Sequence, residues 1–277
     1  MEIGIMQGRL VPPTGNQIQS FPRENWSDEF PRASHAGLAF IEWIYDAHGA
    51  DVNPLATAAG IELMQKLSAK HKVAIGSICA DYFIEQPLVR AEPSQRHERS
   101  EKLKWLLHQA ARLPVAHVVL PFVDASSIRT EEEKAELLSI LRAVLPTAEE
   151  TNIEVHLEMS LPPQAFAELL EHIPHRLVRA NYDSGNSASL GYKVADEFGA
   201  YGGRIGSVHL KDRVRDGGTV PLGSGDADLP ALVRLLGENR YAGNLALQVT
   251  RGESGKEVEW ARQNKAYVER LFSEGGR

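Results

Sequence analysis

Residues 153–160 read Ile153-Glu154-Val155-His156-Leu157-Glu158-Met159-Ser160. Apolar and polar side chains alternate here, and a β-strand sends successive residues to opposite faces. Ile153, Val155 and Leu157 therefore share one face, and Glu154, His156 and Glu158 share the other. In an α/β barrel the apolar face of a strand packs against the surrounding helices, so the polar set points into the barrel and Glu158 stands at its C-terminal rim. Similar β-rich runs recur on both sides: EIGIMQG, AFIEWIYD, VAIGSICADYF and AHVVLPFVD before it, LVRANYDSG, RIGSVHLKD and GNLALQV after it. Most are followed by a helical pattern. Eight such units predict an α/β fold, a (β/α)8 TIM barrel forming a single domain over residues 1–277.

The segments between the runs fit helices. Thr130-Glu131-Glu132-Glu133 has the form of a capping box, followed by Leu137, Leu141, Val144 and Ala148 at helical spacing, with Pro146 expected to kink or shorten that helix. Asp228 reads as the N-cap of a helix carrying Leu229, Leu232, Val233 and Leu236. The last helix aligns Trp260, Asn264, Tyr267 and Leu271 on one face. One connection is out of scale: residues 12–26, PPTGNQIQSFPRENW, are too long and too polar for a minimal βα loop. They leave the first strand where barrel active sites lie, as a lid or a surface loop.

Composition bounds the function. The chain has 277 residues, 43% of them hydrophobic and 24% charged, enough apolar mass to offset its ordering entropy and exclude a disordered chain. Its 30 Lys+Arg against 37 Asp+Glu give a net charge of -7, which weighs against nucleic acid as a partner. No run approaches the ~18 apolar residues of a membrane span, and the N-terminus lacks the pattern of a signal peptide. Cys79, the lone cysteine, excludes an intramolecular disulfide, so a reduced cytoplasmic setting is expected, with Cys79 a small core residue. His71, His97, His108 and His175 fall in helices or at their ends and read as surface residues.

The strands after residue 153 repeat the parity. Asn181 and Asp183 face inward from the sixth; Ser207, His209 and Lys211 from the seventh; Asn244, Ala246 and Gln248 from the eighth. Four consecutive strands thus bring Glu158, Asp183, His209 and Gln248 to one rim, an oxygen- and nitrogen-rich set suited to one divalent cation.

The segments MQGRL, IEWIYD, HLEMS, NYDSGN, HLKDR, VPLGSGDADL and LQVTRG resemble the sugar phosphate isomerase/epimerase family of the xylose-isomerase-like TIM barrels, from residue 3 to about residue 252. Pentulose and hexulose 3-epimerases and inosose dehydratase are its relatives. The resemblance implies a single manganese, magnesium, zinc or cobalt ion, held by Glu158, Asp183 and His209. At the fourth position the family carries a glutamate, and this chain has Gln248. The relatives polarise a ketose carbonyl on the metal, one glutamate taking a proton from one face and the other returning it to the opposite face. Gln248 can offer an amide oxygen to a cation but cannot carry a proton as a carboxylate does. Three readings follow for Glu158 and Gln248 as the catalytic pair: Glu158 as a single base, in an isomerase or a dehydratase-like lyase; a second acid drawn from Asp81, Glu42 or Lys211; or a barrel that binds metal and sugar without turnover.

Gln7, Glu42, Asp81 and Lys211 are the candidate substrate contacts on or beside strands, and Arg213, Arg215 and Arg251 are rim arginines suited to a substrate phosphate. Asp212 points outward as a capping or pairing residue, ahead of the glycine-containing loop Val220–Gly225. The expected partner is a small sugar or sugar phosphate, with a homo-oligomer expected from the habits of the relatives. AP endonucleases share the fold, but they use a three-zinc cluster rich in histidine, much of which this chain lacks.

Overall fold

Strand parity and helix caps together wind the chain into a closed barrel, seen in a computed structural model that describes residues 1–15 and 17–275. Its strands are β1 (Ile3–Met6), β2 (Phe40–Ile44), β3 (Ala74–Cys79), β4 (His117–Phe122), β5 (Glu154–Met159), β6 (Val178–Asp183), β7 (Ile205–Leu210) and β8 (Leu245–Leu247). All pair in parallel with their sequence neighbours, and β8 closes onto β1 through Ile3 opposite Leu245. The outer layer is α1 (Glu29–Ala36), α2 (Ala58–His71), α3 (Pro93–Ala110), α4 (Glu131–Thr151), α5 (Pro163–Glu171), α6 (Val194–Tyr201), α7 (Leu229–Glu238) and α8 (Glu257–Gly275). The apolar core lies between the two layers, where Trp43 on the outer face of β2 packs against Phe21, Trp26 and Phe30. Among the described residues no helix is long and apolar enough to cross a membrane.

Local signals account for the helix ends. Thr130 caps α4 by accepting from the Glu133 amide at 3.2 Å, and Asp228 caps α7 by accepting from Ala231 at 3.0 Å. Two expectations are corrected. Pro146 neither ends nor shortens α4, which runs on to Thr151. Pro146 and Arg142 both lie on the exposed side of the helix, where the loss of one i→i−4 bond is tolerated. On α8 the buried line is Ala261, Asn264 and Val268, with Tyr267 and Leu271 half-buried beside it. Trp260 instead turns back to donate to Thr250 O at 2.7 Å.

The barrel interior is a polar column, not stacked layers of branched aliphatics. At the N-terminal end Phe40 fills the lumen, and a Cβ on Gly4 would stand 2.5 Å from its ring. Above it lie Glu42, Ser77, Asn181, Ser207 and His209, all buried, and then the rim. Several loops build the mouth, among them the long segment after β1, the segment after β3 that carries Asp81, a short helix Ser184–Leu190 after β6, and a ribbon pairing Asp212–Arg213 with Thr219–Val220 after β7.

Candidate metal centre

Register brings the ligand candidates together: Asp183 sits opposite His209 across the β6–β7 pair, and Glu158 is two residues beyond His156 on β5. Glu158, Asp183 and His209 are buried, and each offers a ligand atom within 4.8 Å of the others. His209 Nδ1 faces them, 3.2 Å from Glu158 Oε2 and 4.0 Å from Asp183 Oδ2. The other nitrogen, Nε2, is 2.6 Å from Oε2 of Glu42, a residue one layer deeper whose Oε1 accepts from Ser77 Oγ at 2.7 Å. Burial opposes a charge on His209, but Glu42 and Glu158 outweigh it and hold its pKa well above the usual imidazole range. Burial likewise pushes Glu42 up, yet His209 prevails and leaves that carboxyl below its ordinary value.

The donor set fits a divalent cation. Asp183 Oδ1 accepts from the Asn186 amide at 2.8 Å as the cap of the Ser184–Leu190 helix, which leaves Oδ2 buried with no hydrogen-bond partner among the described residues. Gln248 Oε1 is also buried without a partner. Orphaned buried oxygens are costly unless something meets them, and a cation ringed by carboxylates, an imidazole and an amide oxygen would. Lys211 Nζ, 3.5 Å from Asp183 Oδ2, partly offsets the negative charge meanwhile.

Glu158 lines a mouth cavity of about 580 Å3 shared with Asp81, Lys211, Arg213 and Gln248, together with Arg9, Gln19 and Asn186. Glu158 is held by two amides, Asn186 Nδ2 to Oε1 at 2.6 Å and Asn181 Nδ2 to Oε2 at 3.1 Å. Asn186 Oδ1 in turn accepts from Lys211 at 3.2 Å and Arg213 at 3.0 Å. Across the mouth, Gln19 donates to Asp81 at 2.7 Å and accepts from Gln248 Nε2 and Arg9 at 3.0 Å each. Burial raises the Asp81 carboxyl to about 6, against the lowering bonds from Gln19 and Cys79.

The other sequence candidates lie elsewhere. Glu42 is beneath the ligands and not in the cavity wall. Gln7 is buried on the outer side of β1, where its Oε1 accepts from Ile44 N at 2.9 Å, so it does not reach the mouth. Arg215 is exposed, its guanidinium 4.0 Å from Asp216 and its amide donating to Asp226 Oδ2 at 2.7 Å, and it does not line the mouth cavity. Arg251 straps the long loop down through Ile18 O at 3.2 Å and Val11 O at 2.9 Å. Asp212 accepts from Gly223, Gly225 and Ala227 amides and shapes the Val220–Gly225 loop. Residues not singled out from the sequence are Asn181, whose inward parity was visible, Asn186, which closes the NYDSGN segment, and Arg9 and Gln19. Arg9 lies in MQGRL; for Gln19, a polar residue in a long loop, no local signal existed.

The profile of the xylose isomerase-like TIM barrel family matches residues 30–271. The chain belongs to that family. No curated protein matches it. Among solved structures, this family member is similar to IolI with a bound zinc atom, at 17% identity over 99% of each chain with a TM-score of 0.79. It is similar to an L-ribulose 3-epimerase, at 15% identity over 100% of this chain and 96% of the other, TM-score 0.78. It also resembles the D-psicose 3-epimerase of Clostridium cellulolyticum H10, at 13% identity over 98% and 99% of the chains, TM-score 0.77. These similarities concern the fold. The buried Glu158–Asp183–His209 cluster at the C-terminal rim is this chain's own.

Proposed function

We propose that this barrel is a metal-dependent isomerase or epimerase of a small sugar or sugar phosphate, acting through an enediolate. One observation carries the reading: a carboxylate fixed by two amides, Glu158, converges with Asp183 and His209 within 4.8 Å at the C-terminal rim, and Gln248 lines the same mouth as Glu158. A divalent ion held there supplies polarisation of a substrate carbonyl and offsets the negative charge that gathers on its oxygen. Glu158 takes the proton from the carbon beside that carbonyl and returns it. Asn181 and Asn186 keep its carboxylate aimed, and Lys211 and Arg213 meet a hydroxyl or phosphate at the opening. The long loop excludes water by lying across the mouth, fastened through Gln19.

Gln248 favours a second reading. With an amide where a proton carrier would stand, inversion at carbon needs a second group, and Asp81 is the carboxyl on the opposite wall whose pKa suits that task. Without it, Glu158 alone serves an isomerase working on one face or a dehydratase-like lyase.

The test is a panel of ketoses, ketose phosphates and inososes in deuterated water with manganese, followed by proton NMR. Exchange at the carbon beside the carbonyl is expected with a substrate. Glu158→Gln is expected to slow it by about 10²–10⁴-fold, the worth of a positioned base. Net conversion lost in Asp81→Asn while exchange continues would assign the second proton to Asp81. No exchange across the panel with manganese bound would overturn the reading in favour of a non-catalytic binding barrel.

A further inference from the structure

In TIM barrels the N-terminal end of the strands ordinarily serves stability alone. Here that end opens into a cavity of about 690 Å3, larger than the 580 Å3 mouth on the opposite face. Its floor is a pair of imidazoles, His117 and His156, stacked with ring centres 4.1 Å apart. Gly206 makes that floor possible, since a Cβ there would stand 2.5 Å from the His156 ring.

The charge of the lining is lopsided. Three arginines, Arg176, Arg179 and Arg240, line the cavity against one carboxylate, Glu154, in a chain whose net charge is -7. Glu154 is already engaged, 2.7 Å from His156 Nε2. Among the described residues none of the three guanidinium groups is paired with a carboxylate; Arg179 spends one N–H on Ile205 O at 2.7 Å and Arg176 one on Asn152 Oδ1 at 3.4 Å. Arg179 is half-buried on the lumen side of β6, while Arg176 and Arg240 are exposed at the rim. Forked donors with no carboxylate partner around a polar cavity are what a planar or tetrahedral oxyanion requires. The fixed positive charge of the cavity belongs to the three guanidinium groups.

We propose that this cavity is a second ligand site, separate from the metal centre, which binds a phosphate group, either free phosphate or that of a small phosphorylated sugar. Arg179 is its inner anchor, and Arg176 and Arg240 close over the anion from the rim.

The full chain would be titrated calorimetrically with inorganic phosphate and, in a second arm, with a hexose phosphate. Long-range proton–nitrogen spectra of the imidazoles report where each binds. Saturable binding that moves the His117 and His156 signals is expected. If inorganic phosphate alone saturates, the free ion is the ligand; if the hexose phosphate binds more tightly, the cavity takes the ester. Arg179→Gln is expected to cost at least about tenfold in affinity, the scale of a lost charge-assisted fork. Because that variant also loses a bond to the Ile205 carbonyl, the exposed Arg176→Gln and Arg240→Gln variants serve as folded counterparts, each weakening binding by roughly threefold. Arg213→Gln at the opposite mouth leaves the phosphate-dependent movement of the His117 and His156 signals unchanged. No saturable binding in either arm would overturn the proposal. So would binding that is lost in Arg213→Gln but unmoved by the Arg176 and Arg240 variants.

Discussion

His209 is shared between two demands: Nε2 leans on Glu42 and Nδ1 faces Glu158 and Asp183. A metal-orienting carboxylate behind an imidazole ordinarily accounts for about 10–100-fold in metal affinity. Glu42→Gln is therefore expected to weaken manganese binding by that order, with the Ser77 bond still available to the amide. The proton matters too. The metal-free imidazole holds its second proton to a pKa well above the usual value, and a cation must displace it. Metal affinity should rise as pH climbs toward that raised value, by up to about tenfold per pH step of one, which manganese titrations by EPR between roughly pH 6 and pH 8 would show. In the metal-free fold the same pair stabilises fully below the unfolded histidine pKa and loses that contribution as pH rises through the folded one. Gln248 is bound by similar logic. Its Nε2 donates to Gln19 Oε1, whose own Nε2 is committed to Asp81. Gln248→Glu sets a carboxylate against that acceptor, so it is expected to tighten the metal while loosening the loop, read as faster proteolysis within residues 12–26.

At the level of elements, the exit of β1 is tied to the start of α1. Glu29 Oε1 accepts from Gly8 N at 2.7 Å and Leu10 N at 3.3 Å. Burial raises the Glu29 carboxyl to about 7, against those lowering bonds. A folded pKa above the unfolded one means stability that is present in acid and fades as pH rises from the ordinary carboxylate range to about 7. Glu29→Gln keeps a carbonyl acceptor and does not ionise. Its stability relative to the parent should thus grow between about pH 5 and pH 8, by on the order of 3 kcal/mol in urea unfolding. This region also shows what the sequence could reveal. The period of two made Glu158, Asp183, His209 and Gln248 legible, because each lies on a regular strand or directly beyond its end. Gln7 was misplaced by the same rule ignored: Met6 pairs with the inward Glu42, so Gln7 must point out to the helices. Gln19 and Arg9 were beyond reach because their partners lie 62 and 240 residues away, and only barrel closure brings them near.

For the whole molecule, the candidate ligands Glu158, Asp183 and His209 are distributed along the barrel wall on β5, β6 and β7, and Gln248 follows β8, whose partner strand is β1. A column of hydrogen bonds continues below them, from His156 to Ser207 at 2.7 Å and Ser207 to Asn181 at 2.6 Å, then on to Glu158. An ion bound at the rim therefore ties together strands from widely separated parts of the chain, and none of its sites survives in the unfolded state as a preformed set. Binding to the folded chain alone stabilises by RT ln(1 + [L]/Kd), about 2.7 kcal/mol at a hundredfold excess over Kd. For a domain of this size each kcal/mol moves Tm by roughly 2–4 °C, so manganese should raise the unfolding temperature by about 5–10 °C. Chelator should reverse the rise, and His209→Ala should abolish it while Arg215→Ala, exposed and remote from the ligands, should not. An equal rise in His209→Ala would place the ion elsewhere and remove the metal centre from the mechanism.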